Sequence, residues 1–122
     1  LFRMAKEEYT EIIKRQIFLN QENIAVFGGS DLTEIIFLCA RELKINLVGL
    51  VAPNYTDSEI DGIPVKSAVS DLDQFDIIII ADLADPQNTY ENLVNIVGSK
   101  RVIAPNFLNI SQYSSEKTEK IE

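Results

Sequence analysis

Gly28, Gly29, Ser30 and Asp31 stand between the apolar run Ile24-Ala25-Val26-Phe27 and a helical pattern that begins at Leu32. A glycine turn in that position can bring backbone amides and a helix N-terminus up to a phosphate group. The dinucleotide-binding fingerprint asks for G-x-G-x-x-G. With Gly28 as the first glycine, Ser30 takes the second place and Thr33 the third, so two of the three positions fail. The second glycine lets a pyrophosphate approach the backbone and the third lets helix and strand pack closely, so a side chain at either narrows the site. Ser30 or Asp31 can cap the helix, and Asp31 with Glu34 has the spacing of a capping box. Carboxylates then stand where a phosphate would have to sit. The glycine pair also has a plainer reading, as a strand-to-helix turn that needs unusual dihedrals.

Further polar candidates follow the later apolar runs. Where NAD-binding chains commonly carry an acidic residue to grip the adenosine ribose, this one reads Val51-Ala52-Pro53-Asn54. Asn54 can hydrogen-bond a sugar or simply serve its loop. Asp82 follows the run Ile77 to Ala81 and is the stronger acidic candidate, because Asp85 precedes Pro86 and is expected to cap the next helix. Asn106 and Phe107 follow the last apolar run, and Tyr55 follows Asn54. Each aromatic can flank a ligand or cover the core edge. The candidate binding residues are therefore Gly28, Gly29, Ser30, Asp31, Asn54, Asp82 and Asn106.

No catalytic residue is assigned. The chain has no histidine, so acid-base chemistry near neutral pH would need a strongly shifted carboxylate, lysine or cysteine. The single cysteine, Cys39, falls on an apolar helix stripe and is expected to be an inert core thiol. Zinc-type spacing and compact acidic clusters are absent, so no metal is expected.

Hydrophobic periodicity defines the elements that must hold these residues. Ile24 to Phe27 reads as a buried parallel strand. Leu32, Ile35, Ile36, Cys39 and Leu43 share one helical face, and Ile45 to Val51 reads as a second strand. A crossover of that length makes the two strands parallel. Pro53 to Ser58 signals a loop, and Asp61-Gly62 a turn into a short edge strand, Ile63-Pro64-Val65. Asp71 to Phe75 suggests a brief turn or single helical turn, and Ile77 to Ala81 a central strand. A helix opens at Asp85-Pro86, turns Tyr90, Leu93, Val94 and Val97 inward and ends at Gly98; Arg101 to Ala104 is the last strand. Ahead of all this, Tyr9, Ile12, Ile13 and Ile17 mark a helix over Phe2 to Leu19. Its stripe must cover a sheet face, pair with another subunit or lead from an upstream domain.

The pattern predicts a three-layer α/β/α Rossmann-like fold: a five-stranded parallel sheet in the order 3-2-1-4-5, with an extra N-terminal helix. A ligand crevice is expected between strands one and four. Residues 1–22 are expected to form a connector or dimerisation helix, 23–110 a ligand-binding domain and 111–122 a polar tail. At 122 residues and 46% hydrophobic content the chain can bury one core. Eleven basic against nineteen acidic residues give a net charge of −8, which argues against direct contact with nucleic acid or an anionic membrane. One cysteine excludes an internal disulfide, and no apolar run approaches the roughly 20 residues a membrane span needs, so a cytoplasmic location is expected. The start at Leu1 within a helical pattern, without Met or a signal-peptide layout, suggests an upstream portion.

The segments I-A-V-F-G-G-S-x-x-T-E, D-G-I-P-V, F-D-I-I-I-I-A and R-V-I-A-P-N-F together resemble the CoA-binding or Rex-like branch of NAD(P)-binding Rossmann domains, over about residues 23 to 108. That resemblance implies NAD(H), CoA or a nucleotide-like ligand such as a nucleotide-sugar, bound at Gly28, Gly29 and Ser30. The branch includes the sensor half of redox-sensing repressors, leading domains of sugar-modifying acyltransferases and nucleotide-sugar dehydratases, and domains that follow winged-helix segments. The charged first helix is similar to the connector of the last group. The expected function is non-catalytic: the effector half of a transcriptional regulator, sensing a nucleotide or sugar-nucleotide and forming a homodimer through its N-terminal helix. The alternative is an accessory NAD(P)- or nucleotide-sugar-binding domain of a sugar-modifying enzyme or methyltransferase. A third is a degenerate domain with an empty pocket that serves only in assembly.

Overall fold

Side chains of Ile24, Ala25 and Val26 alternate between two separate hydrophobic layers, because successive residues of a strand point to opposite faces. The computed structural model describes residues 1–112. Its elements are α1 (Phe2–Phe18), β1 (Ile24–Phe27), α2 (Asp31–Glu42), β2 (Gly49–Val51), β3 (Glu59–Ile60), β4 (Ile63–Lys66), β5 (Ile77–Ile80), α3 (Pro86–Val97) and β6 (Val102–Ile103), with single 3-10 turns at Val69–Asp71, Ser99–Arg101 and Asn106–Leu108. Ile24, Val26, Ile77 and Ile79 pack under α1 and α2, whereas Ala25, Ile78 and Ile80 pack against Tyr90 and Leu93 of α3. Both faces of the central strands are thereby covered, as their unbroken apolar runs require.

The sheet has six strands in the order β3-β4-β2-β1-β5-β6, not five in the order 3-2-1-4-5. All neighbours are parallel except β3 and β4. The additional strand arises at Asp61-Gly62, with φ of 52° and 81°. Two central residues at positive φ give the hairpin turn whose twist suits a pair of antiparallel strands. Glu59 and Ile60 therefore fold back to pair with Pro64 and Ile63, and the outer edge is β3 in place of the Ile63 strand. The second strand is also shorter than expected. Lys44 sits at φ 59° just beyond α2, and regular pairing in β2 covers only Gly49–Val51, preceded by a bond from the Val48 amide to the Ile24 carbonyl (2.9 Å).

α1 covers a sheet face of its own domain. Ala5, Tyr9, Ile13 and Gln16 are buried along one stripe. The Tyr9 hydroxyl donates to the Ile80 carbonyl at 2.8 Å, and its ring meets Phe107 edge-on, with centroids 5.6 Å apart. The Glu8 carboxylate accepts the backbone N–H groups of Asn106 and Phe107. Leu1, Phe2, Met4, Phe18 and Leu19 stay exposed. At the other end of the described chain, Ser111 exchanges two hydrogen bonds with the Gln87 side chain, at 2.7 and 2.9 Å, so the expected tail does not begin loose. Its residues from 113 onward lie outside the described residues. Among the described residues no helix is long and apolar enough to cross a membrane.

Candidate functional site

β1 leads directly into the glycine turn. Gly28 has φ 132°, and a Cβ there would lie 2.3 Å from the Ala81 carbonyl oxygen, so backbone meets backbone and only glycine fits. Gly29 is constrained differently: a Cβ would lie 2.6 Å from Cε1 of Tyr55, whose ring covers the turn. Ser30, not Asp31, caps α2. Its Oγ accepts the Leu32 amide at 3.2 Å and donates to the Ala81 carbonyl at 2.6 Å. The expected Asp31–Glu34 capping box is not the cap; both acids stand exposed in the first turn of α2. At the third fingerprint position the buried Thr33 donates its hydroxyl to the Gly28 carbonyl at 2.6 Å. A side chain thus joins helix to turn where a dinucleotide site would have a glycine.

Loops after β1, β2 and β5 converge at the carboxyl ends of those strands around a cleft of about 450 Å³. Gly29, Ser30, Asn54 and Asp82 line it, joined by Tyr55 and Leu83. Three of the seven candidate residues do not line it. Gly28 lies behind the turn against Ala81. Asp31 is exposed on the first turn of α2, and Asn106 is held by its backbone N–H against Glu8 of α1. Phe107 belongs to the core edge against Tyr9.

Of the two acids after β5, Asp82 lines the cleft as expected but also does the tethering expected of Asp85. Asp85 makes no side-chain capping bond to α3. Asp82 accepts the Ala84 amide on Oδ1 (2.9 Å) and the Thr89 hydroxyl of α3 on Oδ2 (2.5 Å). The reason is reach: Asp82 turns back over the loop, and α3 is tied down one turn inside its N-terminus. Tyr55 matters more to this cleft than sequence reasoning allows. The available signal is its place next to Asn54 in the loop after the second strand; its contact with Gly29 depends on how that loop folds back.

Tyr9, Cys39 and Lys6, whose proton affinities are clearly displaced, lie outside the cleft. Burial pushes the Tyr9 hydroxyl up, and burial likewise pushes the Cys39 thiol up. Cys39 is fully buried, with the Thr10 hydroxyl at 3.3 Å and the Lys6 carbonyl at 3.5 Å from Sγ. A hydrogen bond and charge pairing with Glu42, at 3.0 Å, raise Lys6. Among the described residues no lysine or arginine lines the cleft, and Asp82 is the one carboxylate that does. Among the described residues no group of three His, Cys, Asp or Glu side chains could hold a metal ion.

A larger hollow of about 840 Å³ runs beside Phe2 to Glu11, but among the described residues only α1 lines it. The cleft at the strand ends therefore remains the candidate site. No family model, curated protein or solved structure matches the chain.

Proposed function

We propose that the chain is a Rossmann-like, non-catalytic ligand-binding domain, the effector half of a cytoplasmic transcriptional regulator that senses a nucleotide or sugar-nucleotide metabolite. The observation that carries this reading is the convergence of three loops on one cleft at the carboxyl ends of β1, β2 and β5, the place where open parallel sheets bind ligands. The polar groups in its lining, Ser30, Asn54 and Asp82, suit recognition, while the groups with displaced proton affinities sit elsewhere.

Output runs through α1. Tyr9 holds the carbonyl of Ile80, two residues before Asp82, so a ligand that shifts the loop after β5 also loads α1. The exposed Phe2 and Phe18 at the two ends of α1 are where a second copy docks. A ligand changes the placement of two copies only by binding one arrangement more tightly than the other.

Thermal melts of the chain with NAD(H), CoA, nucleotides and UDP-sugars test the reading. A ligand at about 100 times its Kd adds about 2.7 kcal/mol of stability. Silence from every compound removes the sensor reading and leaves a role in assembly. Deleting α1 would strip Tyr9 and Ile13 from the core, so the dimer is tested by sedimentation of Phe2→Glu and Phe18→Glu variants. A wild-type monomer, or a dimer that survives both changes, removes the α1-mediated dimer.

A further inference from the structure

Building on that reading, we infer that the cleft grips its ligand through uncharged ring groups with adjacent hydroxyls, as in a nucleoside, and not through phosphate groups. Tyr55 stacks on a ring face, the base in a nucleoside, and Asn54 and Asp82 take the sugar hydroxyls.

Three features disfavour phosphate here. The edge of the Tyr55 ring rests against Gly29, beside the backbone that a pyrophosphate would need to touch. The amides of Leu32 and Thr33 are already engaged, by Ser30 Oγ at 3.2 Å and by the Ser30 carbonyl at 3.0 Å. Asp31 and Glu34 stand at the positive end of the α2 dipole, and among the described residues no lysine or arginine lines the cleft to offset their charge. A diphosphate entering here meets like charge from both.

What the cleft does present suits a neutral polar ring. Tyr55 is 39% exposed, and its hydroxyl makes no hydrogen bond among the described residues. Aromatic faces of this kind stack on any base without reading its sequence of donors. The Asn54 side chain is exposed and makes no hydrogen bond among the described residues, leaving both a donor and an acceptor for a ligand. Asp82 is fixed in direction by Ala84 and Thr89, and each of its oxygens keeps a second lone pair for an incoming hydroxyl. A carboxylate that is already oriented loses little freedom on binding. The volume, about 450 Å³, lies within the range of small-molecule sites.

The test is calorimetric titration of the whole chain with adenosine, uridine and glucose, with ADP and UDP, and with 2′-deoxyadenosine. Either nucleoside should bind within about threefold of its diphosphate, and 2′-deoxyadenosine about tenfold more weakly than adenosine. Tyr55→Ala should weaken nucleoside binding about tenfold, whereas Tyr55→Phe keeps it, since only the ring face is used. Glucose binding in place of the nucleosides would support the same chemistry from a sugar source. A diphosphate that binds ten or more times tighter than its nucleoside overturns the inference while leaving the sensor reading intact. Undiminished nucleoside binding by Tyr55→Ala, with an unchanged melt for the variant, overturns it as well. If none of these probes binds but CoA or NAD(H) does, this inference alone fails; if those are silent too, the proposed function fails with it.

Discussion

The hydroxyl of Tyr9 donates to the carbonyl of Ile80 at 2.8 Å, joining the first helix to the last residue of the strand that opens the cleft. One residue further on, the Ala81 carbonyl accepts Ser30 Oγ at 2.6 Å. Consecutive carbonyls of one chain segment are thus held by α1 and by the cap of α2. The segment leading into Asp82 is tethered to both helices, so a shift in it is felt at each.

Replacing Tyr9 by Phe keeps the buried ring and removes the donor. A buried hydrogen bond lost on one side costs about 1–3 kcal/mol. The urea midpoint should fall by that loss divided by the slope m, with m itself unchanged. An unaltered midpoint would mean that the Ile80 carbonyl does not depend on the phenol.

Alkali should weaken the fold through Tyr9 and Cys39. Burial raises both above their ordinary values of 10.0 and 9.0, so the folded chain holds its protons more tightly than the unfolded one. Their contribution is complete below those ordinary values and is lost as pH rises toward the raised ones. Stability measured by urea melts from about pH 8 to pH 11 should start to fall near pH 9 and fall faster above pH 10. The Tyr9→Phe, Cys39→Ala double variant should show a flatter curve, and an identical slope would remove both groups as its cause.

The two glycines should respond unequally to alanine. Gly28→Ala forces a Cβ against the Ala81 backbone at a positive φ, and a loss of about 3 kcal/mol or more is expected. Gly29→Ala meets only the edge of the Tyr55 ring, which can swing aside. Combining Gly29→Ala with Tyr55→Ala should give a coupling of about 0.5–1 kcal/mol in a double-mutant cycle. Strict additivity would show that ring and turn do not touch in solution.

Asp82→Ala removes the acceptor for the Ala84 amide and for the Thr89 hydroxyl, and should cost about 1–3 kcal/mol. Asp85→Ala, at the position that reads as the cap, should fall within about 0.5 kcal/mol of the parent. Equal losses in guanidinium melts would contradict this division of labour.

The central strands are legible in the sequence because Ile24 to Phe27 and Ile77 to Ile80 are unbroken apolar runs, and strands buried on both faces need nothing else. Pro86 and Gly98 mark the ends of α3 by backbone chemistry that does not depend on surroundings. The β3–β4 hairpin is not legible as a pair, since Glu59-Ile60 is too short to show alternation, although its Asp61-Gly62 turn is plain. Four of the seven candidate residues meet at one cleft because topology alone locates strand ends. What a side chain does there depends on distances of an ångström or two. Hence Asp82 and not Asp85 ties down α3, Asn106 falls beside Glu8, and the weight of Tyr55 emerges only once its loop is folded.

The clamp of Glu8 on the Asn106 and Phe107 amides ties residues up to 99 positions apart. On the ribosome the acid emerges among the first residues of this stretch, and the amides it will receive are added near its end. The stripe of α1 can meet α2 early, but its seal against the Asn106 turn has to wait until almost all of this stretch is made. A nascent chain halted anywhere before Asn106 should consequently be digested far more readily than the finished domain, since closure of the ring of contacts comes last.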